Sequence, residues 1–281
     1  MTMKRLFTIL SIFLFLGLGL QAAFAQGFTG RAYYKSTSKI SISMDSTKMA
    51  PEQMAQIQAS LKKQMEQNYT LSFTQTESMW KQDASLGSGP ATASSGGAVF
   101  MVSSSGEAST LYKNIADQSY LEEQDMMGKA YLVKDMLEPA EWELSEETKK
   151  VGNYTVQKAS YTRIVDSKQF STGMTEMENV KDTIQVTVWF APEIPVSHGP
   201  ENYFGLPGLI LEVQNQGRTM ICEKIELNPS ADPVVIVKPS KGKEITKEEF
   251  RAVQDEGMKQ MMNRYQGKPG SGTQMQIRIG N

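Results

Sequence analysis

Alternation of apolar and polar residues along the chain predicts β-strands. Leu71 and Phe73 alternate with serine and threonine over residues 69–80, which is typical of a strand with one buried face. Residues 183–190 are rich in β-branched side chains, which favours strand. Turn residues separate such segments at short intervals without a strand–helix–strand repeat, so the pattern predicts one antiparallel sheet. The predicted strands are 28–35, 69–80, 99–102, 109–114, 119–124, 129–134, 153–163, 183–190, 209–213 and 218–227.

Two segments have the period of an amphipathic helix. Residues 51–67 begin with a proline, which suits a first helical turn. Residues 246–266 begin at Thr246, a predicted N-cap, with Glu248 and Glu249 in the first turn. The apolar stripe of the first helix is Met54, Ile57, Leu61 and Met65, and that of the second is Phe250, Val253 and Met261, broadened by Met258, Met262 and Tyr265.

These elements predict a mainly β fold of the α+β class, in which two amphipathic helices cover the apolar face of a curved antiparallel sheet. At the level of the fold, this arrangement resembles the half-barrel of periplasmic lipoprotein carriers of the LolA/LolB type. Residues 166–181 are expected to form an exposed insertion, and 235–243 a linker. The predicted organisation is a secretory signal peptide over 1–25, an antiparallel β domain over 26–245 with a helical insertion at 51–67 and a low-complexity loop at 84–106, a C-terminal helix over 246–266 packing on or beside the sheet, and a disordered tail over 267–281.

The signal peptide predicts export. Lys4 and Arg5 precede an apolar run over 6–20, and an A-x-A cleavage site ends at Ala25. The run is too short to favour a permanent membrane span. No cysteine follows the cleavage site, which excludes a diacylglycerol anchor there, so we expect a periplasmic or secreted protein.

Charge and cysteine content narrow the function classes. Without Lys4 and Arg5, 27 basic residues face 31 acidic ones, which argues against nucleic-acid binding. Cys222 is the only cysteine, so the fold contains no intramolecular disulfide. Its place in a predicted strand favours a buried, inert thiol over a reactive one.

A proline- and glycine-rich segment joins two of the predicted strands, at 183–190 and 209–213. Pro207 and Gly208 are predicted at the central positions of a type II turn, in which Gly208 would have a positive φ. The other prolines exclude helix from this connection. A rigid structural connection is favoured over a ligand-contacting loop. The motif residues are Trp189, Pro192, Pro195, Gly199, Pro200, Gly205, Leu206, Pro207, Gly208, Leu209 and Ile210.

The same segment resembles the signature of the GLPGLI family. Its hexapeptide is residues 205–210, preceded by Trp189, the Pro-Glu-Ile-Pro-Val-Ser stretch at 192–197 and a Gly-Pro pair. These are exported proteins widespread in Bacteroidota, and their role is unassigned. Residues 142–159 also resemble the family pattern, with Val156 where a cysteine often stands. The likeness covers about 142–227 and implies no catalytic residues.

Candidate catalytic chemistry is sparse. His198 is the only histidine, which excludes a two-histidine metal site. A solvated loop histidine is favoured over a catalytic base, although His198 and Glu193 are the residues of this loop that a ligand could contact. Three acidic pairs are interpreted as surface or helix-start charge: Glu122-Glu123, Glu146-Glu147 and Glu248-Glu249.

Methionine is unusually frequent, with 18 residues in 281. One cluster is Met126-Met127, and another consists of Met258, Met261 and Met262. Thioethers bind Cu(I), which an exported protein can meet. Adaptable packing between helix and sheet is the favoured interpretation, and copper is the alternative cofactor.

The sequence therefore favours an exported, non-enzymatic binding or envelope-assembly protein with an apolar groove for a lipid-like or protein partner. Copper handling in the periplasm through methionine thioethers is the alternative. An enzyme that uses Glu193 and His198 is a third hypothesis, with no other residues at a defined spacing to support it.

Overall fold

The structure is a computed structural model that describes residues 28–38, 66–83, 91–95, 98–102, 109–170, 178–266 and 277–279. The side chains in these ranges are described as well, except those of residues 91–102, 165–170, 178–180, 258, 261–266 and 277–279. The strands are β1 Gly30–Ser38, β2 Gln67–Phe73, β3 Glu77–Gln82, β4 Ala91–Ser95, β5 Ala98–Val102, β6 Thr110–Asn114, β7 Ser119–Met126, β8 Lys129–Met136, β9 Glu143–Val151, β10 Tyr154–Phe170, β11 Glu178–Ala191, β12 Leu209–Asn215, β13 Arg218–Leu227, β14 Lys243–Ile245 and β15 Ile277–Ile279. The helix of the described chain, α1, is Lys247–Gln266.

Thirteen strands form one open sheet in the order β14-β8-β7-β6-β3-β2-β1-β13-β12-β11-β10-β15, and β9 also pairs with β10. Strands β4 and β5 form a separate hairpin. The pairings within the large sheet are antiparallel except that of β14 with β8. Strand β1 lies between β2 and β13, and therefore joins segments from opposite ends of the chain.

The core packs against the central strands of this sheet, and in β12 consecutive residues are buried. In β1 the buried residues alternate with half-buried ones, as the period of a strand requires. Tyr69 stacks on Trp80 with ring centroids 4.7 Å apart, and Tyr34 meets Trp80 edge-on at 5.3 Å. The connection between β11 and β12 contributes further core residues, namely Ile194, Val196, Tyr203 and Leu206.

The expected α+β fold with two helices is wrong. The described chain is mostly β with one helix, and it therefore does not form the two-helix half-barrel, although the sheet is open and curved. The helix expected over 51–67 lies outside the described residues except at its end, where Gln67 begins β2. No helix in the described ranges combines the length and apolar character that crossing a bilayer requires.

Polar strands account for most of the remaining differences. The insertion expected over 166–181 instead extends β10 and β11, which stay paired as far as Gln169 and Glu178. Strand β9 is largely exposed and carries no apolar alternation. A hairpin ladder is held by backbone hydrogen bonds, so it continues where the side chains are polar.

Three local boundaries also differ from the predictions. The single strand expected over 69–80 is divided into β2 and β3 by a turn, in which Thr74 Oγ1 accepts a hydrogen bond from Glu77 N at 3.0 Å. The expected linker ends in β14. In the expected tail, β15 pairs with residues 168–170 of β10.

Candidate functional site

The connection between β11 and β12, residues 192–208, is called the motif loop below. It folds back along itself through three backbone hydrogen bonds: Gly205 N donates to Ser197 O at 3.1 Å, Leu209 N to Ile194 O at 3.0 Å and Ile210 N to His198 O at 3.0 Å. Trp142, which precedes β9, also binds the motif loop: its Nε1 donates a hydrogen bond to Phe204 O at 2.9 Å. The motif loop is therefore a packed part of the core.

The hexapeptide contains two glycines, Gly205 and Gly208, and the positive φ predicted for Gly208 is found at Gly205 instead. Gly205 has φ +93°, whereas Gly208 does not have a positive φ. A Cβ atom at Gly208 would stand 2.3 Å from the Ala191 carbonyl oxygen. The predicted positive φ at Gly208 is therefore wrong. This position requires glycine for a different reason, because a side chain would collide with the backbone of Ala191.

A buried lysine holds the motif loop against the sheet. Lys113 of β6 is fully buried, and its Nζ donates to the carbonyl oxygens of Gly199 at 2.9 Å, Tyr203 at 3.4 Å and Glu201. Burial lowers the pKa of Lys113 to about 7, while the Glu201 carboxylate acts in the opposite direction. Three acceptors match the three protons of an ammonium group, so the contacts suit the charged form.

His198 is buried rather than solvated, so the expectation of a solvated loop histidine is wrong. Its side chain is 0% exposed and its ring lies 6.5 Å, centroid to centroid, from that of Phe73. Burial lowers the pKa of His198 to about 3, and the Lys113 ammonium adds to this effect; the backbones of Thr74 and Gln75 oppose it. Those backbone groups do not meet hydrogen-bond geometry, and neither ring nitrogen has a partner in the described part of the chain.

The other proposed ligand contact has a structural partner. Glu193 is exposed, and its Oε1 accepts a hydrogen bond from Thr155 N of β10 at 3.0 Å. His198 instead packs toward β2. The two side chains therefore occupy different environments.

Trp189 is partly buried between the buried residues Val188 and Phe190 of β11 and packs at the margin of the core. Lys149 Nζ stands 4.3 Å from the centre of its ring and forms an ion pair with Glu212 at 2.6 Å. This contact joins β9, β11 and β12 within the motif region.

Two further predictions concern Cys222 and the acidic pairs. The predicted burial of Cys222 is confirmed: the thiol is free and buried, and burial raises its pKa to about 12. Glu249 lies at the helix start as predicted. Glu122 differs, because burial raises the pKa of its carboxyl group.

A polar cluster around Arg218, which the sequence did not indicate, anchors the middle of the motif loop. Arg218 Nη1 pairs with Glu201 Oε1 at 2.5 Å, and its Nε donates to Ser36 Oγ at 2.9 Å. Tyr69 lies beside the guanidinium, 6.0 Å from ring centre to Cζ. The three partners come from three other segments, namely the motif loop, β1 and β2, so no local pattern could reveal them.

A cavity of about 320 Å³ between α1 and the sheet is the candidate binding site. Its apolar lining comes from Tyr131 of β8, Ile245 of β14 and Val253 of α1, and its remaining lining residues are Lys129, Ala130, Lys243 and Glu249. This volume is at the lower end of the range for small-molecule pockets. Of these lining residues, the sequence had singled out only Glu249, in the first turn of the helix, and Val253, on its apolar stripe.

The start of α1 is fixed beside this cavity by its cap. Thr246 N donates to Glu249 Oε2 at 2.7 Å, and Glu249 N donates to Thr246 Oγ1 at 3.2 Å. This reciprocal pair is a capping box, so the N-cap at Thr246 is confirmed. Phe250 packs on Tyr131 with ring centroids 5.6 Å apart. The same contacts position Glu249 and Val253 at the cavity.

The predicted methionine cluster of α1 consists of Met258, Met261 and Met262, and their side chains lie outside the described part of the structure. Across the described residues, no group of three or more His, Cys, Asp or Glu side chains is placed to hold a metal ion.

Comparison with known proteins gives a family match over part of the chain. The model of a family described as "Protein of unknown function (Porph_ging)" matches residues 142–212. This segment contains β9 to the start of β12 and the whole motif loop, and it overlaps the stretch that resembles the GLPGLI family. No curated protein matches.

Solved structures of PNGF-II in the C2 and P21 space groups are similar to the chain, with TM-scores of 0.46 and sequence identities of 12% and 11%. Each match covers 82% of this chain and 33% of the PNGF-II chain. The chain thus spans about a third of the length of these structures.

Proposed function

We propose that this is an exported, non-enzymatic binding protein of the GLPGLI family that binds a small amphiphile with an anionic head group between α1 and the sheet. The cavity lined by Tyr131, Ile245 and Val253 is the observation that carries the proposal. Export rests on the predicted signal peptide, and family membership on the motif.

The lining matches both ends of such a ligand. The apolar side chains of Tyr131, Ile245 and Val253 suit a hydrocarbon tail, because burial of apolar surface favours binding. Lys129 and Lys243 suit an anionic head group, and the N-terminal end of a helix favours negative charge. Glu249 is engaged with Thr246, so its carboxylate is already hydrogen-bonded.

The motif loop supports a structural rather than a chemical role for the signature. Lys113 is enclosed by three carbonyl oxygens and Glu193 bonds to the backbone of β10. Groups held in this way position the loop that closes the core. Binding is therefore assigned to the helix–sheet cavity.

Titration with a dansyl-labelled medium-chain fatty acid tests the tail site. We expect Val253→Trp to fill the cavity and weaken binding at least tenfold. Val235→Trp is the control, because Val235 is 68% exposed and does not line the cavity. Equal affinity of wild type and Val253→Trp, with both proteins folded, would exclude this site.

The head-group assignment has its own test with the same probe. We expect the double variant Lys129→Gln/Lys243→Gln to bind the acid more weakly and the corresponding dansyl alcohol unchanged. Lys181→Gln, an exposed change on β11 outside the cavity, is the matched control. An equal loss for acid and alcohol would contradict recognition of the anionic group.

A further inference from the structure

A buried serine lies beneath the motif loop, between two other buried side chains. Ser78 of β3 is paired with Phe73 of β2 on one side and with Lys113 of β6 on the other. Directly paired residues of neighbouring strands point to the same face of a sheet, with Cβ atoms about 5 Å apart. All three residues are 0% exposed. Ser78 therefore occupies the centre of a buried row that crosses three strands.

The motif loop places His198 beside this row. The His198 ring lies 6.5 Å, centroid to centroid, from that of Phe73, at one side of Ser78. On the other side, Lys113 Nζ donates at 2.9 Å to the carbonyl oxygen of Gly199, the residue that follows His198. Because Ser78 stands between Phe73 and Lys113, these contacts bring the imidazole ring next to the Ser78 hydroxyl group.

Both polar side chains lack a hydrogen-bond partner among the described residues. Ser78 Oγ, His198 Nδ1 and His198 Nε2 are buried, and none of them meets hydrogen-bond geometry with another described group. Buried polar atoms in native proteins almost always have a partner, because a buried atom without one loses its hydration and gains nothing in exchange. Two such side chains at the same place therefore indicate a small polar molecule that bonds to both.

The ligand has to donate as well as accept hydrogen bonds. Burial and the Lys113 ammonium lower the pKa of His198 to about 3, so the ring is neutral at pH 7 and carries one N–H donor and one acceptor nitrogen. The backbone groups of Thr74 and Gln75 that act on this pKa lie near the same ring and are further partners. Complete enclosure and two to four polar partners are typical of a buried water site.

We propose that an internal water molecule bridges Ser78 Oγ and a ring nitrogen of His198, and thereby joins the motif loop to β3. A direct contact supports the same junction, since Gln75 Nε2 donates to Pro195 O of the motif loop at 3.3 Å. The neutral imidazole is then a hydrogen-bonding group of the core. This inference goes beyond the amphiphile cavity and does not depend on it.

A crystal structure of the wild-type protein at atomic resolution tests the bridge. We expect one ordered water molecule within hydrogen-bond distance, about 2.5–3.2 Å, of both Ser78 Oγ and a ring nitrogen of His198. A direct hydrogen bond between the two side chains, or a space between them without ordered water, would overturn the proposal. This measurement needs no variant, so it stays decisive if a substitution prevents folding.

A double-mutant cycle tests the same bridge in solution by urea denaturation. We expect Ser78→Ala to raise the unfolding equilibrium constant about fivefold, because the water and the ring nitrogen lose a shared partner. In the His198→Leu background the same substitution should have a clearly smaller effect, since two residues that share a hydrogen-bond network are not additive.

Ser72→Ala is the matched control for this cycle. Ser72 is also buried, but it precedes Phe73 in β2 and therefore points to the opposite face of the strand. Its substitution should change stability equally in the wild-type and His198→Leu backgrounds. An equal effect of Ser78→Ala in the two backgrounds would contradict a water shared with His198.

Discussion

Gly208 shows how one residue can be required for a reason that its local pattern does not reveal. The Pro-Gly pair predicts a turn with positive φ, but the constraint comes from the carbonyl group of Ala191 on the preceding strand. Gly205, three residues earlier, is the glycine with positive φ. Backbone crowding and backbone conformation are thus divided between two glycines of one hexapeptide.

Replacing Gly208 with alanine should lower the free energy of unfolding by about 1–3 kcal/mol, because the added methyl group overpacks against the Ala191 carbonyl. The larger Gly208→Val should be worse. Gly205→Ala is the comparison: its Cβ would meet only Trp142 Nε1 at 3.8 Å, so its cost is backbone strain of about 1–2 kcal/mol. Urea denaturation measures both, and a Gly208→Ala protein as stable as wild type would contradict the crowding.

At the scale of elements, the motif loop is attached to the sheet by the buried side chains of Lys113 and His198 and by the partly exposed Arg218–Glu201 ion pair. Lys113 of β6 binds its carbonyl groups, Arg218 of β13 pairs with Glu201, and His198 packs near Phe73 of β2. The sequence correctly predicted the strands on both sides of this loop. It could not show which strands the loop covers, because those partners are distant in the chain.

Acid should destabilise this attachment through His198. Its pKa is about 3 in the folded protein and about 6.5 when unfolded, so below pH 6.5 the unfolded chain binds the proton and the folded chain does not. Stability should fall by about 1.4 kcal/mol per pH unit as the pH drops from 6.5 toward 3, and by about 2 kcal/mol at pH 5.

Urea unfolding at pH 7, 6 and 5, compared between wild type and His198→Leu, isolates this contribution because other titrating groups are common to both. We expect the stability difference between the two proteins to change with pH in favour of the variant at pH 5. Parallel pH profiles would show that His198 is not buried in the neutral form.

At the scale of the whole molecule, the pairing of β1 with β13 joins the two halves of the open sheet and brings together residues almost 200 positions apart, such as Gly30 and Leu227. Tyr34 of β1 faces Cys222 of β13, and the Tyr34 hydroxyl donates to Ile210 O at 2.7 Å. Opening this pair would separate β2 from β13, since β1 is their only neighbour in common in the described sheet. Exposure of Cys222 should therefore require large-scale unfolding.

Labelling with Ellman's reagent at pH 8 tests this expectation. Because burial raises its pKa to about 12, the native Cys222 thiol should react slowly, at a rate that follows unfolding as urea is increased. A Cys222→Ser/Val235→Cys protein, with its thiol at an exposed position, should react at once. Comparable rates for the two native proteins would contradict the burial of Cys222 within the β1–β13 pair.

Patterns over a few consecutive residues were enough to predict the elements that such short-range patterns stabilise. Apolar alternation predicted the core strands, and Thr246 with Glu249 predicted the start of α1. Apolar alternation did not predict β9 or the outer half of the β10–β11 hairpin, because backbone pairing holds these polar strands together.

The sequence by itself determined the core strands, the capped helix and a fold without a disulfide, because periodicity and capping act over a few residues. Only the tertiary structure decided that Lys113 and His198 are buried, that Gly208 is crowded, and that the methionines at 126 and 127 meet α1. Burial, close approach and electrostatic environment depend on neighbours supplied by distant segments, and those neighbours are chosen by strand pairing and packing.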